Sequence, residues 1–400
     1  MLSILVLTPQ VPYPPQQGTA LRNWGILRAL AECYDVSLLS FYAPDQDNEP
    51  PSMLQNTLRR TALFPQPARP TIRRMRDLLF IKRPDLVLRL QSLPFASALK
   101  DWLERFHFDW IIVEGLEMAP YLDLVKASGQ SPRVLFDDHN CEYILQQRAA
   151  QTDWANPKRW VGALYSSVQW RKLQKYESEI GQFADCVVSV SQEDAQSLKE
   201  IAPNIHPLVI PNGISFDEYA NYQEGIDLHQ PAFVFTGTMN FRPNVDGVLW
   251  FARQVWSLIL AEIPAAHFYI VGRHPHERLR ILDDVPGVVI TGGVPETRSY
   301  IRSAAVYVVP LLVGGGTRLK ILESTAMSKA VVATTLGTEG FSHPEQAMVL
   351  ADTPGEFAAA CVRLAKDAGE RQKWAERASV FAQSYDWEAL LPPLLARLNG

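Results

Sequence analysis

Residues 305–340, AVYVVPLLVGGGTRLKILESTAMSKAVVATTLGTEG, constrain the fold more than any other stretch of the chain. The run 305–309 is rich in β-branched side chains and reads as a buried strand. Pro310 stops it. Gly314, Gly315 and Gly316 then form a loop without β-carbons, Thr317 suits a helix N-cap, and 318–328 has helical character. A second apolar run follows at 330–334. Strand, glycine loop, helix, strand is a βαβ unit, whose two strands are parallel and whose crossover is right-handed. The chain is therefore expected to be an α/β protein.

The loop suggests chemistry. Bare N–H groups at a helix N-terminus, with the positive end of the dipole behind them, attract anions. Arg318 and Lys320 put cations on a first turn where the dipole alone favours carboxylates, which makes sense if an anion sits there. Glu323 lies about two turns from the glycines, where a carboxylate can accept hydrogen bonds from sugar hydroxyls. The plainer reading is a glycine-rich turn, with Lys320 and Glu323 as a surface pair three residues apart. The loop lacks a full nucleotide-binding fingerprint, so the local pattern leaves both readings open.

This stretch also resembles the donor-site segment of the family-4 retaining glycosyltransferases, and in particular GGGTRLKILE-like segments of bacterial polysaccharide enzymes. The resemblance extends over most of the chain and is most specific over 233–340. It implies the two-domain GT-B fold, two Rossmann-like domains facing across a cleft. In that family two glutamates stand eight positions apart, and the second binds the nucleotide ribose. Glu323 matches the second, whereas the first falls on Gly315, so this chain lacks it.

At 400 residues the chain has room for two domains. A net charge of −5 argues against nucleic acid as the main partner. Cys33, Cys141, Cys186 and Cys361 lack metal-ligand or CxxC spacing, as expected of reduced thiols in a cytoplasmic protein. The start of the chain has no basic region ahead of its short apolar run and does not read as a signal peptide. No stretch approaches the length of a transmembrane helix.

In chain order, 2–7 reads as a first strand, then a proline-rich loop ending at Gly18, then a helix over 19–31, then a strand over 36–42. Gly18 is either a helix-start glycine or, as the resemblance implies, a place where a backbone N–H meets a diphosphate. Residues 57–89 carry nine arginines and lysines against Asp77 and Asp85, interleaved with apolar side chains. Such a stretch can lie on an anionic membrane, or it is a solvated helix pair with ordinary buried faces. Strands are expected at 109–114 and 133–137. The second runs into Asp137, Asp138 and His139, at the edge of the sheet where open α/β folds bind ligands. A lone histidine is more often structural; the resemblance implies that His139 lies near the donor sugar. Residues 160–184 read as a long amphipathic helix, and 186–190 and 208–210 as short strands.

Pro211-Asn212-Gly213 is a turn signal that divides an N-terminal acceptor-binding domain, 1–213, from a donor-binding domain, 214–384. The latter opens with a strand at 232–236, then Gly237, a loop, and a helix over 244–260. Arg242 in that loop is the candidate for a diphosphate contact. The family's Arg directly after the glycine is Thr238 here, so Lys320 or Arg318 is expected to supply the second cation. The tail 385–400, interrupted by Pro392 and Pro393, has apolar spacing that allows the C-terminal helix which in GT-B folds crosses back to the first domain.

The expected function is transfer of a sugar from a nucleotide diphosphate sugar to a hydroxyl acceptor, with retention, in cell-surface glycan synthesis. The acceptor would be a glycan or a lipid-linked sugar. His139, Arg242 and Lys320 would serve the reaction; Gly18, Gly237, the 314–316 glycines, Thr317, Arg318 and Glu323 would help hold the donor. The nucleotide sugar is a co-substrate, no further cofactor is expected, and no metal is expected, with Asp137 and Asp138 the one pair to check. The enzyme would be cytoplasmic, and peripheral on the membrane if 57–89 docks there. Two rivals remain open: a nucleotide-sugar epimerase on the same fold, and a non-catalytic nucleotide-sugar or glycan binder, to which the missing glutamate at Gly315 gives weight.

Overall fold

The computed structural model describes residues 1–15, 18–43, 49–70, 74, 76–77, 81–154, 160–313 and 318–400. The chain forms two compact units, Met1–Pro211 with Leu391–Gly400, and Asn212–Leu390.

In the first unit seven parallel strands appear among the described residues: β1 (Ser3–Thr8), β2 (Asp35–Tyr42), β3 (Arg60–Pro65), β4 (Trp110–Glu114), β5 (Arg133–Asp138), β6 (Cys186–Ser189) and β7 (Leu208–Val209). Their order is β3-β2-β1-β4-β5-β6-β7. The middle strands β1 and β4 are buried on both faces, which explains their unbroken apolar runs. Strand order reverses between β1 and β4, the switch point at which open α/β sheets bind ligands.

β3 corrects the helix-pair reading of part of the basic stretch. Its residues Thr61, Ala62, Leu63 and Phe64 pair with β2 at the sheet edge and are only half-buried, and an edge strand of that length shows no clear alternation. Leu58 is buried, and Phe64 and Ile81 pack against the core, so these apolar side chains face inward. Arg73, Ile72, Leu79 and Phe80 lie outside the described residues.

The tail is two pieces rather than one interrupted helix. Trp387–Leu390 belongs to the second unit, and the helix Pro392–Asn399 packs on the first. There the Trp110 indole N–H donates to the Leu398 carbonyl at 3.0 Å, and Arg397 Nη2 donates to the Asp185 carbonyl at 2.9 Å. Pro392 and Pro393 stand on the first turn of this helix, where a missing N–H costs nothing, so they start it.

The second unit repeats the pattern with β8 (Ala232–Thr236), β9 (His267–Val271), β10 (Val288–Gly292), β11 (Val306–Val309), β12 (Val331–Ala333) and β13 (Val349–Leu350). The order is β10-β9-β8-β11-β12-β13, all parallel. β11 and β12 flank the helix Leu319–Ala326, with Tyr307 opposite Val331; this is the expected βαβ unit. The helix expected over 244–260 is Arg242–Trp250 and Trp256–Glu262, joined by a π-helical turn at Phe251–Val255. That extra residue in the turn accompanies burial of Phe251 and Trp256 in one aromatic cluster with Phe268.

Candidate active site

In the second unit the site is built where β8 ends. Phe235 and Thr236 are buried in the strand, and Gly237 turns the chain out of it. A β-carbon on Gly237 would lie 2.7 Å from Asn244 Nδ2 and 2.8 Å from Lys320 Nζ, so only glycine lets these groups close over the backbone. Lys320 Nζ donates to Asn244 Oδ1 at 2.8 Å and sits 4.0 Å from the centroid of the Phe235 ring. Asn244 in turn donates to the Thr238 carbonyl at 2.9 Å. Lysine, amide and loop backbone thus form one connected patch.

Burial first, and then the neighbouring Arg318, lower the Lys320 pKa to about 7, with Glu323 opposing the fall. Arg318 stands at the N-cap of the helix Leu319–Ala326, donates Nη2 to the Val313 carbonyl at 2.9 Å, and has a buried Nε with no partner among the described residues. Neither cation makes an ion pair among the described residues. Glu323 and Glu339 act on them only through the field; two adjacent cations, one of them driven toward neutrality, are a pattern that an incoming dianion would relieve. Gly314, Gly315, Gly316 and Thr317 lie outside the described residues.

The surface-pair reading of Lys320 and Glu323 does not hold. Lys320 turns to Asn244, and Glu323 accepts from the Tyr219 hydroxyl at 3.2 Å. Burial raises the Glu323 pKa, against the Tyr219 hydrogen bond and the Lys320 charge. Arg298, paired with Glu296 at 2.5 Å, lies over the rings of Tyr222 and Tyr219. Asn244, Tyr219 and Arg298 were not found in the sequence: Asn244 and Tyr219 are 76 and 104 positions from Lys320 and Glu323, the rings under Arg298 belong to a distant segment, and none has a diagnostic spacing. Arg242, the expected diphosphate contact, is half exposed and pairs with Asp246 at 3.3 Å, which also holds Arg278 at 2.7 Å. No hydrogen bond joins Arg242 to the Lys320 patch among the described residues; Asn244, two positions on, makes that connection.

In the first unit the ends of β4 and β5 carry a buried charge network. Arg22, on the helix Gly18–Cys33, grips Asp137 with two bonds of 2.7 Å and donates to the Ile210 carbonyl at 2.9 Å. Gly18 is the exposed first residue of that helix. Burial alone would raise the Asp137 pKa, but Arg22 outweighs it and holds the carboxyl below its usual range. The neighbouring Glu114 is pushed well up by burial and by Asp137, and accepts from the Asn23 amide nitrogen at 2.9 Å. Arg22 escaped the sequence reading because a charged residue on a buried helix face looks like a surface position.

His139 follows β5. Burial lowers its pKa against the pull of Asp137 and Glu117, favouring the neutral imidazole, and Nδ1 has no partner among the described residues. It packs on the turn at Gly115, φ +77°, where a β-carbon would lie 2.8 Å from His139 Cε1. Asp138 is separate: its carboxylate lies with Cys141 and Glu177 in a buried group whose ligand atoms are within 4.8 Å of one another. Glu177 already accepts from the Glu142 and Tyr143 N–H groups at 2.7 and 3.1 Å, so it serves as the cap of the helix Glu142–Trp154. Asp137 and Asp138 do not act as a pair, since the first is committed to Arg22.

Two family models match the chain. That of glycosyltransferase family 4 covers residues 18–218, and that of the group 1 glycosyl transferases covers residues 230–367. A 44.6 kDa protein in the cps region of Klebsiella pneumoniae is 22% identical over 96% of this chain and 97% of its own. Among solved structures, the sucrose-phosphate synthase of Thermosynechococcus elongatus superposes with a TM-score of 0.70 at 17% identity, over 100% of this chain and 99% of that one. HepE of Anabaena, in complex with UDP and glucose, gives 0.63 at 12% identity, over 99% of both chains. WaaG, a glycosyltransferase involved in lipopolysaccharide biosynthesis, gives 0.64 at 13% identity, over 98% of both. These likenesses establish the GT-B fold.

Proposed function

The chain belongs to glycosyltransferase family 4 and is a glycosyltransferase, and on that premise we propose that it takes its sugar from a nucleoside diphosphate sugar, with UDP as the carrier, and retains the anomeric configuration. The observation that carries the donor reading is the Lys320–Asn244–Gly237 patch at the end of β8, with Arg318 beside it. Departure of the nucleotide leaves negative charge on the diphosphate, and preorganised cations and amides in a water-poor site stabilise such charge most effectively. Glu323 would hold the ribose hydroxyls. The leaving phosphate would take the acceptor proton, so no protein base is assigned and no metal is required. HepE, whose structure holds UDP and glucose, supports UDP as the nucleotide. The cps-region relative and WaaG support a role in cell-surface polysaccharide synthesis.

Calorimetric titration with UDP and GDP tests this reading. UDP should bind, and Glu323→Gln should weaken it about 10- to 100-fold, as loss of charge-assisted hydrogen bonds implies. Absence of binding by either nucleotide would overturn the donor assignment; unchanged affinity in the variant would remove Glu323 from the site. Donor incubated without acceptor should not yield an epimer.

A membrane-facing role has support from two elements of the first unit. Arg74 and Arg76 of the basic stretch are 44% and 65% exposed. Trp154, Trp160, Val161 and Leu164, on the helices Glu142–Trp154 and Trp160–Phe183, are also exposed. Among the described residues no helix is long and apolar enough to cross a membrane; the attachment proposed is peripheral.

A further inference from the structure

The first unit holds a cavity of about 420 Å³ that the donor reading does not use. Gln10 follows β1, Gln66 follows β3 and His139 follows β5, so the cavity opens at the carboxyl edge of the sheet. Arg69, Arg74 and Arg89 also line it, with Glu117 as the single carboxylate.

These arginines outnumber the carboxylates they pair with among the described residues. Asp85 is shared by Arg69 at 2.7 Å, Arg74 at 3.2 Å and Arg89 at 3.8 Å. Asp77 is shared by Arg69 at 3.0 Å and Arg76 at 3.2 Å. Among the described residues, two carboxylates are thus shared by four guanidinium groups, while Glu117 lines the same cavity and Glu142 feels both Glu117 and Arg89. Arg69 is the informative one: its side chain is only 9% exposed, and its buried Nε has no hydrogen-bond partner among the described residues. A guanidinium donor left unpaired in a buried position is costly, as is an unpaired imidazole nitrogen, and His139 Nδ1 on the same cavity is one. Asp77 and Asp85 hold the arginines in place, while the unpaired Arg69 Nε and His139 Nδ1 remain for something that enters.

Resting on the glycosyltransferase reading, we infer that this cavity receives an acidic group of the acceptor, an oxyanion borne by a sugar as phosphate or carboxylate, gripped by Arg69, Arg74 and Arg89. Guanidinium forks match both oxyanions bidentately, and an anion here gains charge-assisted bonds that a neutral hydroxyl cannot. Glu117 and Gln10 would accept and donate to the sugar hydroxyls beside it. The basic stretch then serves as a wall of the acceptor pocket, with its arginines arranged around two aspartates.

The test uses the full chain with UDP at saturation, which fills the donor site and shows independently whether that site exists. Glucose 6-phosphate, glucuronate and glucose are then titrated by calorimetry. At least one of the two anions should bind, and at least tenfold more tightly than glucose. Binding of the phosphate alone or of the uronate alone would identify the source of the oxyanion. Arg89→Gln, an exposed position, should weaken that anion at least tenfold while changing UDP affinity less than twofold. Arg69→Lys should do the same, with folding checked by circular dichroism. Anions binding no better than glucose, or full anion affinity in Arg89→Gln, would overturn the inference while leaving UDP binding intact. Failure of UDP itself to bind would strike the donor assignment instead.

Discussion

Lys320 is the residue through which the proposed donor binding would depend on pH. Its folded pKa of about 7 lies below the ordinary 10.5. In the free protein the unfolded chain therefore binds more protons than the folded one between these values, so stability rises with pH through that window. Diphosphate binding needs the charged form and runs the other way. UDP affinity should be nearly constant below pH 7 and fall by up to about tenfold per unit above it, until the pKa of the bound form is reached. Calorimetry at pH 6 to 9 measures this, and a flat profile would separate Lys320 from the diphosphate. Asp137 is the opposite case, a carboxyl held low by Arg22, with both side chains 1% exposed. Its contribution is present above the carboxylate range and lost as pH falls through its depressed pKa. Removing it leaves a buried guanidinium unpaired, so Asp137→Ala should cost roughly 3–5 kcal/mol in denaturant unfolding. A change under 1 kcal/mol would mean that water reaches Arg22.

At the scale of elements, the long helix Trp160–Phe183 carries two kinds of face along one stripe. Leu173, Tyr176 and Ile180 are buried, whereas Trp160, Leu164 and Val168, at the same spacing, are exposed. Helical periodicity finds the stripe but not where its cover ends. Arg171 and Lys175 are exposed, while Lys172 is half-buried and donates to the Ile81 carbonyl at 2.7 Å. On the membrane-facing role proposed above, the exposed apolar end and the arginines of 57–89 would make separable contributions to lipid binding. Basic residues add on the order of 1 kcal/mol each near an anionic leaflet, and screening over about 8–10 Å removes that part as salt rises. Vesicle sedimentation should show binding that requires anionic lipid, falls with salt, and falls further when Arg73, Arg74 and Arg76 become Glu. Equal binding to neutral and anionic vesicles, or none to either, would reject membrane docking by the basic stretch.

For the whole molecule, each unit has its own hydrophobic core and its own doubly wound sheet, and the last helix belongs to the first unit although the chain reaches it through the second. The reaction proposed for these units needs only protein cations and backbone donors at the leaving diphosphate. Sugar transfer should therefore survive excess EDTA. Abolition that added magnesium or manganese restores would show that a metal shares the diphosphate.

The sequence by itself determined the α/β class, the positions of most strands, the βαβ unit over 305–340 and the presence of Lys320 and Glu323 on its helix. These are local matters: apolar period, glycine and proline breaks, and helix starts act within a few residues. Tertiary structure decided which groups meet. Arg22 and Asp137 are 115 positions apart, Tyr219 and Glu323 104, and Asn244 and Lys320 76. A parallel sheet brings strand ends together in an order different from that of the chain, so its carboxyl edge gathers residues whose spacing carries no signal. Hence Arg242, well placed in the sequence, turned to Asp246, and Asn244 beside it reached the lysine. The arginines of 57–89 read as a basic run offset by only two aspartates, and folding decided that Asp77 and Asp85 are each shared among several of them.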